Sequence, residues 1–127
     1  RSKAYSQASS QAPTCLKSGQ VWKLGKMWSV GSSLRLWNSR FLVVQDGCAM
    51  LYKDEKAWRA RGAPKGKINL VQARVEKHKS AKQAARWAFS ICAKSKQERE
   101  LFLAAETDLD RDLWIIALRS AIANSPP

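Results

Sequence analysis

The spacing of apolar residues along this 127-residue chain changes once, near Thr107. Up to that point the apolar residues come in short runs or alternate with polar ones, as in 87–92 (WAFSIC) and 101–105 (LFLAA). Beyond it they recur three or four residues apart. Alternation is typical of half-buried strands, whereas the longer period is typical of an amphipathic helix. The sequence therefore predicts a mainly β protein that ends in one helix.

Seven segments have the composition or the alternation of strands, and turn signals such as Asp46-Gly47 separate them. They are residues 19–24, 37–45, 49–53, 67–70, 73–77, 87–92 and 101–105. Residues 55–62 have helical propensity at best. Because closing a sheet protects its edges, we expect the strands to form a partly open barrel.

The predicted helix has recognisable ends. Thr107 followed by Asp110 resembles a capping box, and acidic residues near the start and Arg119 near the end suit the helix dipole. Asn124 and the two prolines after it are expected to end the helix. The predicted apolar face consists of Leu113, Trp114, Ala117, Leu118, Ala121 and Ile122. We expect this helix to plug one end of the barrel and to bury Trp114.

The charge of the chain is strongly positive, with a formal net charge of +13. Residues 106–127 hold 2 of the 23 basic residues but 4 of the 10 acidic ones, so the excess lies in the rest of the chain. Such an excess indicates a polyanionic partner, which could be phospholipid headgroups, nucleic acid or an acidic protein.

The residues of reactive chemistry are few. Cys15, Cys48 and Cys92 fit no zinc-binding spacing, so we expect free thiols in a reducing cytosol, with no metal and no cofactor. The one histidine, His78, is expected to be a solvated residue. No nucleophile–base pair or paired carboxylates are recognisable, so we do not expect an enzyme.

Seven segments in this order resemble the pleckstrin-homology (PH) domain family, and together they cover about residues 17–123. They are 17–25 (KSGQVWKLG), 37–44 (WNSRFLVV), 51–53 (LYK), 64–70 (PKGKINL), 89–91 (FSI), 101–107 (LFLAAET) and 114–118 (WIIAL). The resemblance implies two packed antiparallel sheets capped by a C-terminal helix, no catalysis and, often, binding of lipid headgroups. We therefore expect a flexible leader at 1–16, a PH domain at 17–123 and a tail at 124–127.

The resemblance also points to headgroup-binding residues. Lipid-binding members of the family use basic residues of the first two strands, which here are Lys23 and Arg40, and Lys53 and Lys65 are further candidates. An arginine can hold a phosphate through two hydrogen bonds, while a lysine acts as a mobile point charge.

Asn38 departs from the family pattern, because strong phosphoinositide binders usually carry Lys or Arg at that position. The missing charge makes a smaller headgroup, phosphatidic acid, a candidate beside the phosphoinositides. A group of small acylated PH proteins in apicomplexan parasites is thought to read that lipid, and the basic domain and the leader resemble them.

The loop after the first strand combines apolar and basic residues. We expect Met27, Trp28 and Val30 to enter the membrane interface, with Lys26 and Arg35 reaching phosphates. The alternative is that Trp28 folds back over the barrel.

The other tryptophans favour structural roles. We predict that Trp37, Trp87 and Trp114 lie in the core, whereas Trp58 either contacts the membrane or packs on the domain.

Taken together, these features predict a monomeric, non-catalytic module in the cytoplasm, bound peripherally to anionic phospholipids of the membrane's cytoplasmic face. The alternative is a protein-interaction adaptor, in which an exposed sheet edge accepts a strand from a partner. Specific nucleic-acid binding is disfavoured, because the chain has no RNA-binding motif.

Overall fold

A computed structural model describes residues 15–26, 35–78, 87–94 and 100–125, with the backbone alone at 26, 35 and 36. The elements are β1 (Cys15–Lys26), β2 (Arg35–Gln45), β3 (Cys48–Tyr52), α1 (Glu55–Arg59), β4 (Gly66–Asn69), β5 (Arg74–Lys77), β6 (Trp87–Cys92), β7 (Leu101–Ala105) and α2 (Asp108–Ala123). The predicted seven strands and C-terminal helix are confirmed.

The strands form one antiparallel sheet in the order β4-β3-β2-β1-β7-β6-β5. Strand β1 is its centre, because β1 pairs with β2 along most of its length and with β7 at Trp22 and Lys23. That second pairing joins the two expected sheets by hydrogen bonds. Among the described residues the sheet is not closed, and β4 and β5 are its edges.

The turn predicted at Asp46-Gly47 joins β2 to β3, since Gln45 pairs with Cys48. Gly47 has a φ of 88°, a left-handed conformation that a residue without a Cβ adopts at little cost. The hairpin register that follows sets which side chains of β2 and β3 face the core.

Alternation along β2 separates two clusters of buried side chains. Leu42 and Val44 join the main core with Val21 of β1, whereas Phe41 and Val43 pack on the opposite face of the strand. The main core lies between the curved sheet and α2.

Trp114 of α2 closes one end of the sheet, as predicted, and is 1% exposed. Its ring approaches Gly19 of β1 so closely that a Cβ at this glycine would lie 3.3 Å from the ring. Glycine thus allows the helix to sit directly on β1.

The buried face of α2 differs from the prediction. It consists of Arg111, Trp114, Ile115, Leu118 and Ala121. The predicted burial of Leu113 is wrong, since this side chain is 44% exposed. The helix is rotated on the sheet so that Ile115 takes the inward position instead.

The N-terminus of α2 is capped as predicted by Thr107, whose Oγ1 accepts a hydrogen bond from the Asp110 backbone N at 3.0 Å. The Asp110 carboxylate pairs with Lys17 Nζ at 3.3 Å. That ammonium also lies 4.6 Å from the centre of the Trp114 ring. A cation–π contact and an ion pair therefore fasten β1 to the start of the helix.

Trp87 is 42% exposed, so its predicted place in the core is wrong. Its ring lies over the Arg111 guanidinium at 5.3 Å from the ring centre. Arg111 is itself 4% exposed, and Asp108 and the His78 carbonyl accept hydrogen bonds from its guanidinium. The Trp87 ring therefore covers the buried guanidinium of Arg111. Trp37, by contrast, is partly buried.

His78 is half-buried rather than solvated. Its Nε2 lies 2.8 Å from Ser90 Oγ, and its ring packs 5.2 Å from the Phe102 ring. Among the described residues, no helix combines the length and the apolar character that crossing a membrane requires.

Replacing Thr107 with alanine should lower the free energy of unfolding by about 1 kcal/mol, because the Asp110 amide loses its acceptor. Thr107→Ser keeps the hydroxyl and should stay within about 0.5 kcal/mol of the wild type. Urea unfolding followed by tryptophan fluorescence measures both. Equal losses in the two variants would contradict the capping role.

Candidate functional site

Lys23 and Arg40 lie near each other on neighbouring strands. Lys23 of β1 pairs with Asn38 of β2, and Val21 pairs with Arg40. Lys23 and Arg40 are therefore diagonal neighbours on one face of the β1–β2 ribbon, a separation that long side chains can span. The two residues that the family resemblance selects are brought together by this register.

Lys23 and Arg40 lie on the same face of the ribbon as the residues that it contributes to the main core. Val21 precedes Lys23 by two residues, and Leu42 follows Arg40 by two, and both Val21 and Leu42 are fully buried. Because strand side chains alternate, Lys23 and Arg40 continue the inward rows beyond the core. They lie toward the end of the ribbon away from Lys17 and Trp114, which leaves them partly exposed.

Lys53 and Lys65 flank the same end of the sheet. Lys53 follows Tyr52, which pairs with Phe41, so it lies beside Arg40. Lys65 precedes β4, and its backbone N donates to the Leu51 carbonyl at 2.6 Å. Both side chains are exposed. By strand alternation Lys53 shares the inward face, whereas Lys65 lies on the opposite one.

Basic residues at the two ends of the fold differ in their partners. Near the start of α2, Lys17 pairs with Asp110, and Lys77 Nζ lies 3.2 Å from Asp112. At the other end, no carboxylate among the described residues lies within ion-pairing distance of Lys23, Lys53 or Lys65. Among the described residues, the carboxylates at the start of α2 thus pair with nearby basic side chains, whereas Lys23, Lys53 and Lys65 have no such partner.

Arg40 has a more mixed environment than the lysines. Its Nη1 donates to the Ser39 carbonyl at 2.8 Å. It also lines a cleft of about 460 Å³ that includes Gln20, Asp54 and Glu55. Sequence reasoning missed these two acidic neighbours, which α1 brings beside β2.

Both acidic side chains have partners of their own within α1. Asp54 caps this helix by accepting a hydrogen bond from the Ala57 backbone N at 2.8 Å, and Glu55 pairs with Arg59 at 2.7 Å. These contacts hold the carboxylates in the cleft wall without a direct ion pair to Arg40.

The first-loop prediction lies mostly outside the described residues. Met27, Trp28 and Val30 belong to the part that is not described, and only the backbone is described for Lys26 and Arg35. The backbones of Lys26 and Arg35 are cross-strand partners, so the ribbon brings these two basic positions side by side.

Trp58 packs on the domain rather than standing free. Its ring stacks on Phe41, with 5.2 Å between the ring centres, and Tyr52 belongs to the same cluster. The stack ties α1 to the outer face of β2. Its packed position is the second of the two roles predicted for it.

Comparison with protein families identifies the fold. The PH domain model matches residues 16–123. The chain belongs to the PH domain family. Members of this family are generally non-catalytic and bind phosphoinositide headgroups or proteins. A comparison with curated proteins finds no match.

Solved structures similar to this PH domain share its fold at low identity. The C-terminal PH domain of human pleckstrin has a TM-score of 0.69 and 23% identity, covering 90% of this chain and 92% of its own. The PH domain of human pleckstrin homology domain-containing protein family A member 5 has a TM-score of 0.67 and 21% identity, covering 92% and 84%. The C-terminal PH domain of pleckstrin in complex with D-myo-Ins(1,2,3,5,6)P5 has a TM-score of 0.66 and 22% identity, covering 87% and 98%.

One group of side chains in this PH domain has the composition of a metal site. The ligand atoms of Glu76, Cys92 and Glu100 lie within 4.8 Å of one another. Burial raises the pKa of the Cys92 thiol, and a hydrogen bond to Glu100 and the nearby carboxylate charges raise it further. Because metals bind the thiolate, this shift opposes metal binding, and we assign no metal to these residues.

The raised pKa of Cys92 can be measured by alkylation with iodoacetamide, which reacts with the thiolate. The rate for Cys92 should rise with pH to a midpoint above about 8.5, the ordinary thiol value. Glu100→Gln removes a carboxylate that raises the pKa and should move the midpoint down. Peptide mass spectrometry reads the modified fraction, and a midpoint at or below the ordinary value would contradict the account.

Proposed function

We propose that this PH domain is a non-catalytic module that docks on membranes by binding anionic phospholipid headgroups. The proposed site is the end of the β1–β2 ribbon where Lys23 and Arg40 lie, called the open end below. The contrast between the two ends of the fold supports this proposal most directly. Lys17 and Lys77 are paired with carboxylates, whereas Lys23 and Lys53 are not paired with any described one. Unpaired cations on one surface attract a polyanion from solution.

The proposed pocket combines three side chains of one face. Lys23, Arg40 and Lys53 contact headgroup phosphates, the arginine through two hydrogen bonds and the lysines as point charges. Lys65, on the opposite face of the sheet end, together with Lys26 and Arg35, contacts the surrounding membrane surface. Each basic residue near an anionic surface contributes about 1 kcal/mol.

The headgroup we propose is phosphatidic acid or a phosphoinositide. Asn38 pairs with Lys23 and is exposed, so the position beside the pocket carries an amide instead of a charge. This missing charge favours a ligand with a single phosphate group, phosphatidic acid. The inositol pentakisphosphate complexes of pleckstrin's C-terminal PH domain support the phosphoinositide as the other candidate.

The first loop is proposed as a second membrane contact. Residues 27–34 connect the adjacent backbones of Lys26 and Arg35, three residues beyond Lys23. Met27, Trp28 and Val30 would then enter the interface above the pocket, where an indole ring is favoured. A weak single-headgroup contact and a shallow apolar anchor together would place the protein at the cytoplasmic face of a membrane as a peripheral, monomeric protein.

Neutralising an unpaired lysine should weaken membrane binding more than neutralising a paired one. Lys23→Gln should reduce partition onto phosphatidic acid vesicles about fivefold, the equivalent of about 1 kcal/mol. Lys77→Gln makes the same chemical change where Asp112 already neutralises the charge, and should reduce it less than about twofold. Co-sedimentation at physiological salt measures both.

The vesicles should be matched in total negative charge and contain phosphatidic acid, phosphatidylserine or a phosphoinositide. A preference for phosphatidic acid or a phosphoinositide supports the headgroup pocket and decides between the two. Equal binding to all three, or equal losses in the two variants, would reduce the function to a charge-driven tether. An absence of binding to all three kinds of vesicle would contradict the proposal.

Trp28→Ala should weaken vesicle binding several-fold while leaving the melting temperature within about 2 °C of the wild type. The physical reason is that an interfacial indole contributes to partition and not to the core. Co-sedimentation and thermal unfolding test this together. A large fall in melting temperature would show that Trp28 packs against the domain instead.

A further inference from the structure

Helix α2 carries an apolar stripe on its outer side. Of the five large apolar side chains that are exposed among the described residues, three belong to this helix: Leu109 at 69%, Leu113 at 44% and Ile116 at 64%. At about 100° per residue they lie on the side of the helix opposite to Leu118, which is fully buried. The stripe spans two helical turns, about 10 Å. A continuous exposed apolar surface of this kind marks an interaction site.

The segments outside the described residues do not supply a cover for this stripe. Apart from Tyr5, their large apolar residues all lie within 27–34. That segment connects Lys26 to Arg35, and about 30 Å of strand separates Lys26 from Lys17, which contacts the start of α2. Eight residues that leave the ribbon and return to it extend at most about 14 Å. These 127 residues therefore leave the stripe uncovered.

The charges around the stripe disfavour a membrane as its occupant. The first turns of α2 carry Asp108, Asp110 and Asp112, which an anionic membrane surface repels. The headgroup residues proposed above, Lys23 and Arg40, lie toward the other end of the ribbon. A protein surface is therefore the occupant to consider.

Asp112 and Arg119 lie on the same flank of the stripe, the flank that faces β5. Asp112 Oδ1 is 3.2 Å from Lys77 Nζ, and Arg119 Nη2 is 3.4 Å from the Val75 carbonyl, beyond the usual range of about 2.7–3.2 Å for such hydrogen bonds. No carboxylate among the described residues lies within ion-pairing distance of Arg119. The Asp112 carboxylate has lone pairs left for a second cation. This flank thus carries a negative group and, two turns later, a positive one.

This order of charges is complementary to itself when two α2 helices pack antiparallel. A two-fold axis then brings the same flank of each helix together. With Leu113 set against Ile116 of the second copy, Arg119 lies within about 3 Å, measured along the helix, of Asp112 of the second copy. The symmetry forms this ion pair twice. Parallel packing would instead bring the two Arg119 side chains together and align the helix dipoles unfavourably.

We propose that the outer stripe of α2 is a self-association surface, on which the α2 stripe of a second copy of this chain packs antiparallel. Two chains with a net charge of +13 repel each other. The basic side chains next to α2, Lys17, Lys77 and Arg111, are each paired with a carboxylate of this helix, which lowers the repulsion at this face.

The pair is weak. A stable interface buries about 800 Å² on each partner, more than three side chains supply, so we expect a Kd on the order of 0.1–1 mM. The chain is therefore monomeric in dilute solution, and pairs form where copies are concentrated. Lys23 and Arg40 stay free in the pair, because they lie toward the end of the ribbon away from α2.

Sedimentation equilibrium without lipid, at physiological salt and up to about 2 mM protein, tests the stripe. The mass of the wild type should rise from 14.3 kDa toward twice that value. Ile116→Glu should weaken the association at least about tenfold, because each copy would bury an unpaired charge. Ala60→Glu adds the same charge at an exposed residue after α1 and should stay within about twofold of the wild type. A wild type that keeps the mass of one chain, or equal effects of the two variants, would overturn the proposal.

Two charge reversals test the antiparallel register. Arg119→Glu and Asp112→Lys should each weaken self-association about tenfold, because two ion pairs become two repulsions. An equimolar mixture of the two variants restores opposite charges at both contacts and should associate within about threefold of the wild type. Neither position is buried, and a preserved amide spectrum verifies the folding of each variant. A mixture that associates no more tightly than either variant alone would contradict the antiparallel pair.

Discussion

The contact between Trp114 and Gly19 is the interaction on which the rest of this structure depends. β1 hydrogen-bonds to β2 on one side and to β7 on the other, and α2 packs on it where a side chain larger than hydrogen would meet the indole. Truncating so large a buried ring usually costs about 3–5 kcal/mol, which is a large share of a small domain's stability.

The same packing divides the charges of the molecule. The first turns of α2 carry Asp108, Asp110 and Asp112, which suit the positive end of the helix dipole. Their contacts are with Arg111, Lys17 and Lys77. Ion pairs at exposed positions add little to stability. Lys23 and Lys53 have no carboxylate partner among the described residues, which is why they belong to the proposed headgroup site.

The sequence predicted the order of elements, because alternation is a local property. The family resemblance selected Lys23 and Arg40 as headgroup-binding residues, and the register of β1 and β2 makes them diagonal neighbours. Predictions of burial from the sequence were wrong where the burial of a side chain depends on residues that are distant in the sequence. Trp87 looks like a core residue until Arg111 of α2 is placed beneath its ring. Leu113 and Ile115 are both apolar, and only the rotation of α2 on the sheet decides which is buried. Likewise, nothing local predicts that Asp54 and Glu55 line a cleft with Arg40.

The open end of the β1–β2 ribbon, and not the basic surface as a whole, is the proposed site of the headgroup. Titrating ¹⁵N-labelled protein with water-soluble dihexanoyl phosphatidic acid at physiological salt, and mapping the amide shifts, distinguishes these two possibilities. The largest changes should fall at Lys23, Asn38, Arg40 and Lys53. Changes centred on Lys17, Lys77 and Arg111, or spread evenly over the basic residues, would contradict it.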